Sequence, residues 1–80
     1  MDYKPHGVCA KNISFDVKDG KVYNVQFTGG CNGNLQGIGR LVEGMPVEEV
    51  ISRIDGIKCG MKATSCPDQL AHALKEAVER

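Results

Sequence analysis

The chain has 80 residues, 41% hydrophobic and 25% charged, the profile of one small globular domain (1–80) rather than a disordered segment. Ten Lys and Arg balance ten Asp and Glu, leaving no cationic surplus to displace counterions from a nucleic acid. No apolar run reaches the roughly 18–20 residues of a membrane span, and Met1-Asp2-Tyr3-Lys4-Pro5 carries no apolar signal core, so the expected setting is the cytoplasm.

The first predicted element is a hairpin. Ile13, Phe15 and Val17 alternate with Ser14, Asp16 and Lys18, and Tyr23, Val25 and Phe27 alternate with Asn24 and Gln26. Asp19-Gly20 marks the turn. A three-residue loop, Lys18-Asp19-Gly20, would pair Val17 with Lys21 and Phe15 with Tyr23, putting both apolar sets on one face. After Gly29-Gly30-Cys31-Asn32-Gly33-Asn34 the period changes. Leu35, Ile38, Leu41 and Val42 fall on one helical face, and Gly44 ends that helix. Pro46 suits the first turn of a second helix with Val47, Val50, Ile51 and Ile54 inside, closed by Asp55-Gly56. A connection over 57–65 carries Cys59. Pro67 starts a last helix whose inner stripe is Leu70, Ala73, Leu74, Ala77 and Val78. The predicted class is α+β: a small antiparallel sheet of two or three strands followed by about three helices packed on one face.

A domain of this size buries only about 60–70% of the surface of its unfolded chain, so small domains recruit disulfides, a metal or a partner. Trp is absent and only four other aromatics are present, but there are four cysteines. Cytoplasmic thiols stay reduced, which leaves a metal as the stronger explanation. Cys9, Cys31, Cys59 and Cys66 contain no Cys-x-x-Cys knuckle, so spacing alone is a weak metal signal. Placement says more. Cys31 and Cys66 each immediately precede a predicted helix, where free backbone N–H groups favour the thiolate that metals bind. None of the four occupies an apolar stripe, as buried inert cysteines would. Glycines around Cys9 and Cys31 let backbone N–H groups approach sulfur closely.

Thr64-Ser65-Cys66-Pro67-Asp68 is the literal signature of the TSCPD-domain family. With Gly29-Gly30-Cys31-Asn32-Gly33-Asn34, Cys59-Gly60-Met61-Lys62 and Gln69-Leu70-Ala71, the chain from about Val8 onward resembles the stand-alone, four-cysteine branch of that family. Related domains occur at the C-termini of adenosylcobalamin-dependent ribonucleotide reductases. The resemblance therefore implies an accessory of DNA synthesis whose partner is a ribonucleotide reductase subunit. Reductase chemistry itself needs a large barrel with a radical-generating cofactor, which 80 residues do not house. A weaker resemblance is to the NifU/IscU-type iron–sulfur scaffold, with Cys9, Cys31 and Cys66 at matching points and a similar fold. Lys11 and Ser65 replace that scaffold's acidic residue and histidine, and Cys59 looks like a fourth ligand, favouring a closed site over cluster transfer.

The resulting expectation is a four-cysteine metal-binding module holding zinc or an iron–sulfur cluster on Cys9, Cys31, Cys59 and Cys66. Rival expectations are a thiol redox carrier cycling Cys59 and Cys66, and a non-catalytic cluster scaffold or interaction domain. Arg40, Lys58, Met61 and Lys62, in or beside the segments carrying the cysteines, form the expected partner face. The glycine stretch 29–39 lacks a Gly-Lys-Ser/Thr sequence and a third fingerprint glycine, so it reads as close packing rather than a nucleotide loop. His6 and His72 read as surface and structural residues. Asp68 suits a helix first turn, and Ser65 has no base beside it for nucleophilic catalysis.

Overall fold

Alternation of period two across Asp19-Gly20 does produce a long hairpin, and the periodic segments after it become helices. The computed structural model describes residues 2–5, 7–8, 10–30 and 32–78. Cys9, Cys31 and His6 lie outside the described residues. The order is β1 (Asp2–Tyr3), β2 (Ala10–Lys18), β3 (Lys21–Gly29), α1 (Asn32–Val42), α2 (Val47–Ile54) and α3 (Cys66–Val78). The strands form one antiparallel sheet in the order β1-β2-β3. This is a small α+β fold.

The turn differs from the predicted three-residue loop. Lys18 pairs with Lys21 and Val17 with Val22, leaving the two-residue loop Asp19-Gly20, with φ of 54° and 74°. Two positive φ angles are the requirement of a type I′ turn, whose twist matches the strands. A two-residue loop would by itself put the two apolar sets on opposite faces, and a bulge removes that conflict. Ser14 pairs with Gln26 and Asp16 with Tyr23, so Phe15 alone on β2 opposes Asn24 and Val25 on β3. Asn24 takes φ 57°, its side-chain amide donating to Asp16 Oδ2 at 3.0 Å and its N–H to Glu43 Oε1 at 2.8 Å. The extra residue shifts the phase by one. Val22, rather than Tyr23, therefore joins Val25 and Phe27 on the face shared with Ile13, Phe15 and Val17. A second irregularity at Lys11 likewise turns Ala10 inward, where it is buried.

The core lies between that face and the helices: Ile13, Phe15 and Val22 meet Val42, Val47, Val50, Leu70, Ala73 and Leu74. In α1 the inward set is Leu35, Ile38, Gly39 and Val42, whereas Leu41, expected inside, is 78% exposed. Gly39 explains the rotation. A Cβ there would stand 2.8 Å from the Val25 carbonyl oxygen, so the glycine lets α1 lie directly on β3. The start of α2 is pinned to the hairpin turn: Val47 N–H donates to Gly20 O at 2.9 Å, and Pro46 bridges Lys21. In α3, Leu70, Ala71, Ala73 and Leu74 are buried and Ala77 packs at the edge, but Val78 is exposed. Leu70 and Leu74 are fully buried, so truncating either to Ala costs about 2–5 kcal/mol.

Candidate functional site

The local chemistry begins with the run from Thr64 to Asp68. Ser65 caps α3: its Oγ accepts the Asp68 N–H at 3.2 Å and donates to Ile57 O at 2.7 Å. The spacing Ser65-x-x-Asp68 is a capping-box signal legible in the sequence. The Asp68 side chain, however, does not reach back to the cap. One oxygen accepts the Gly56 N–H at 2.7 Å and the other accepts the Thr64 hydroxyl. A directed chain continues outward, from Tyr3 OH to Gln69 Oε1 (3.4 Å), and from Gln69 Nε2 to Thr64 Oγ1 (3.0 Å). Gln69 N–H also donates to Ser65 O at 2.8 Å.

This network sets Asp68 apart electrostatically. Burial alone pushes its carboxyl up, but the Thr64 hydroxyl, the Gly56 N–H and the His72 ring together hold it below the usual carboxylate value. His72 Nε2 lies 3.3 Å from Asp68 Oδ1, and Lys75 Nζ lies 2.9 Å from Asp55 Oδ2. Asp55, Asp68 and His72 bring three potential ligand atoms within 4.8 Å of one another. Both carboxylates already have protein donors, so this cluster is a polar network joining the end of α2 to α3. At Tyr3, burial first and then the charges of Glu76 and Asp68 push the phenol above its usual value.

On the other side of Ser65 lies a pocket of about 310 Å³. Cys66 and Pro67 supply its α3 wall, Asn34, Leu35 and Ile38 its α1 wall, Cys59 and Lys62 its loop wall, and Val8 the last side. Cys66 is half-buried and Cys59 exposed, and both are free thiols. The Cys59 N–H donates to Thr64 O at 3.2 Å, folding the loop back toward the start of α3. The two other cysteine-bearing segments arrive at the same place. Val8 precedes Cys9, and Asn34 and Leu35 follow Cys31. Ala10 pairs with Gly29, and a Cβ on Gly30 would stand 2.9 Å from Leu35 Cδ1 and 3.3 Å from Ala10 N. Gly30 (φ 79°) thus permits a backbone approach that a side chain would block. Cys9 and Cys31 themselves lie outside the described residues; Val8, one residue before Cys9, and Asn34 and Leu35, three and four residues after Cys31, line the pocket.

The family enters here: the TSCPD domain matches residues 1–78. The chain belongs to the TSCPD family. No curated protein and no solved structure matches it. Within this TSCPD chain the signature supplies Ser65, Cys66 and Pro67 to the pocket wall, while Thr64 and Asp68 form the network behind it. Of the predicted partner residues, Lys58, Met61 and Lys62 are exposed on the loop, with Lys62 at the pocket and Met61 fully exposed. Arg40 lies apart from them, beside Gln26, Gln36 and Glu43 against β3. The pocket roles of Val8 and Ile38 have no signal in the sequence, because an apolar position looks the same whether it fills a core or lines a cavity, and Asn34 reads as part of the glycine-rich turn. No helix among the described residues is long and apolar enough to cross a membrane.

Proposed function

We propose that this TSCPD chain is a small metal–thiolate module that uses Cys9, Cys31, Cys59 and Cys66 to hold zinc or an iron–sulfur cluster. One observation carries the reading: Cys59 and Cys66 line one pocket to which Val8, next to Cys9, and Asn34 and Leu35, three and four residues past Cys31, also contribute. The donor chemistry fits, because four thiolates suit a closed tetrahedral zinc site and equally a cluster. A bound metal would cross-link the loop, α3, the β3–α1 turn and the strand entry, adding the stability that a core of this size lacks. Pocket walls of Val8, Leu35, Ile38 and Pro67 would restrict water at the thiolates. Family membership supports a ribonucleotide-reductase-related role, with docking through the exposed Lys58, Met61 and Lys62 and with Arg40 as an outlying contact.

Metal retention tests the module. Cys59→Ser and Cys66→Ser are each expected to cut retention of zinc or iron strongly in anaerobically prepared protein; unchanged retention would remove those ligands. Met61→Asp with Lys62→Glu is expected to leave the fold and metal content intact but weaken binding to a purified reductase subunit. A second reading, a thiol carrier, draws on the same pair sharing one pocket with Cys59 exposed. It requires a reversible Cys59–Cys66 disulfide, with Cα atoms about 4.4–6.8 Å apart, in metal-free protein.

A further inference from the structure

We propose that Asp68 is the positioning residue for Cys59: its carboxylate clamps both ends of the 57–64 loop and so holds Cys59 at the pocket it lines with Cys66. Every residue from 57 to 63 is exposed, so hydrophobic burial does little to fix this loop. Hydrogen bonds hold it instead. Asp68 Oδ1 takes the Gly56 N–H where the chain leaves α2, and Oδ2 takes the Thr64 hydroxyl where it enters α3. Between these clamped ends, Cys59 N–H reaches Thr64 O and Lys62 N–H reaches Cys59 O at 3.0 Å. Ser65 adds the bond to Ile57 O. Cys59 is bonded through its backbone to a residue that Asp68 itself holds.

Cys66 needs no such device, since it is the first residue of α3, a helix anchored by Leu70 and Leu74. Of the two described thiols, Cys59 is therefore the one whose position depends on a removable polar contact. This gives Asp68 a role in the TSCPD signature distinct from helix capping. Its consequence for metal binding rests on the proposed module, while the clamp itself is a property of the loop.

The test combines Asp68→Ala, Asp68→Asn and Cys59→Ser with Co²⁺ as the probe metal. In the unmodified background Asp68→Ala is expected to weaken Co²⁺ binding by about ten- to a hundred-fold, the usual cost of losing a group that orients a ligand. In the Cys59→Ser background the same change is expected to alter affinity less than about two-fold, because the ligand it positions is gone. A merely structural Asp68 would give equal losses in both backgrounds, and that result would overturn the proposal. Asp68→Asn, which keeps the volume and one acceptor oxygen, is expected to lie between and guards against misfolding of the alanine variant. Hydrogen exchange supplies a metal-independent readout. Gly56, Cys59 and Lys62 amides are expected to exchange about ten-fold faster in either Asp68 variant, with those of Ile13 and Val22 unchanged. Uniform acceleration, or none, would refute the clamp. Failure of the unmodified protein to bind Co²⁺ would count against the metal module, and exchange alone would then decide the clamp.

Discussion

Two glycines of α1, two residues apart, should respond to the same substitution with opposite signs. Gly37 is exposed, and a Cβ there meets nothing within 4 Å. Gly37→Ala therefore gains only helix propensity, about 0.5–1 kcal/mol. Gly39 is buried against β3, and its added Cβ would stand 2.8 Å from the Val25 carbonyl oxygen. That oxygen belongs to a strand and cannot swing aside as a side-chain tip could. Forcing the helix off the sheet costs about 1–3 kcal/mol, which exceeds the propensity gain and leaves a net loss of about 0.5–2 kcal/mol. In a domain of this size about 1 kcal/mol moves the midpoint by about 4–8 °C. Thermal unfolding followed by circular dichroism should therefore place Gly37→Ala a few degrees above the unmodified protein and Gly39→Ala clearly below it. Equal midpoints for the two variants, or a more stable Gly39→Ala, would refute the close approach of α1 to β3. The pocket depends on this contact, since α1 supplies Asn34, Leu35 and Ile38.

Asp68 predicts an acid limb: with its carboxyl held below the ordinary value of 3.8, its contribution is present above that pH and lost as pH falls through the lower folded value. Urea unfolding between pH 5 and about 2 should give a shallower stability loss for Asp68→Asn, and identical slopes would contradict this. Tyr3 predicts the opposite limb. Its phenol is raised above 10.0, so the folded state holds the proton more tightly and stability falls as pH rises beyond 10.0. Tyr3→Phe should flatten that fall. Ser65→Ala removes the cap on α3 and the bond to Ile57 O, and denaturant unfolding should register a loss of about 1–2 kcal/mol. A loss below a few tenths would mean that the cap is replaced by water.

The sequence made most elements legible because their apolar periods are clean, as in Val47, Val50, Ile51 and Ile54 of α2. It misled where one residue changes the phase. The bulge at Asn24 moves Val22 inward and Tyr23 outward, and alternation read without a partner strand has no marker for that shift. Hydrophobicity alone points Leu41 inward, since in the absence of other information it is what sets a helix's rotation. The deciding residue is Gly39, whose value lies in the side chain it lacks. At the pocket, Cys59 and Cys66 both contribute to the wall. The Asp68 clamp was partly visible as Ser-x-x-Asp spacing, but its hold on Gly56 and Thr64 spans separate elements and appears only once the loop is folded. Arg40 stands near the end of the helix that follows Cys31, but its position along α1 places it beside Gln26 and Glu43 against β3.

Native mass spectrometry of the anaerobically purified chain tests the central claim most directly, because it reports bound mass and stoichiometry on the folded protein. The expected result is one zinc ion or one iron–sulfur cluster per chain, with all four cysteines protected from alkylation until chelation and both Cys59→Ser and Cys66→Ser depleted of the bound mass. A folded, metal-free chain whose four thiols alkylate freely would contradict it.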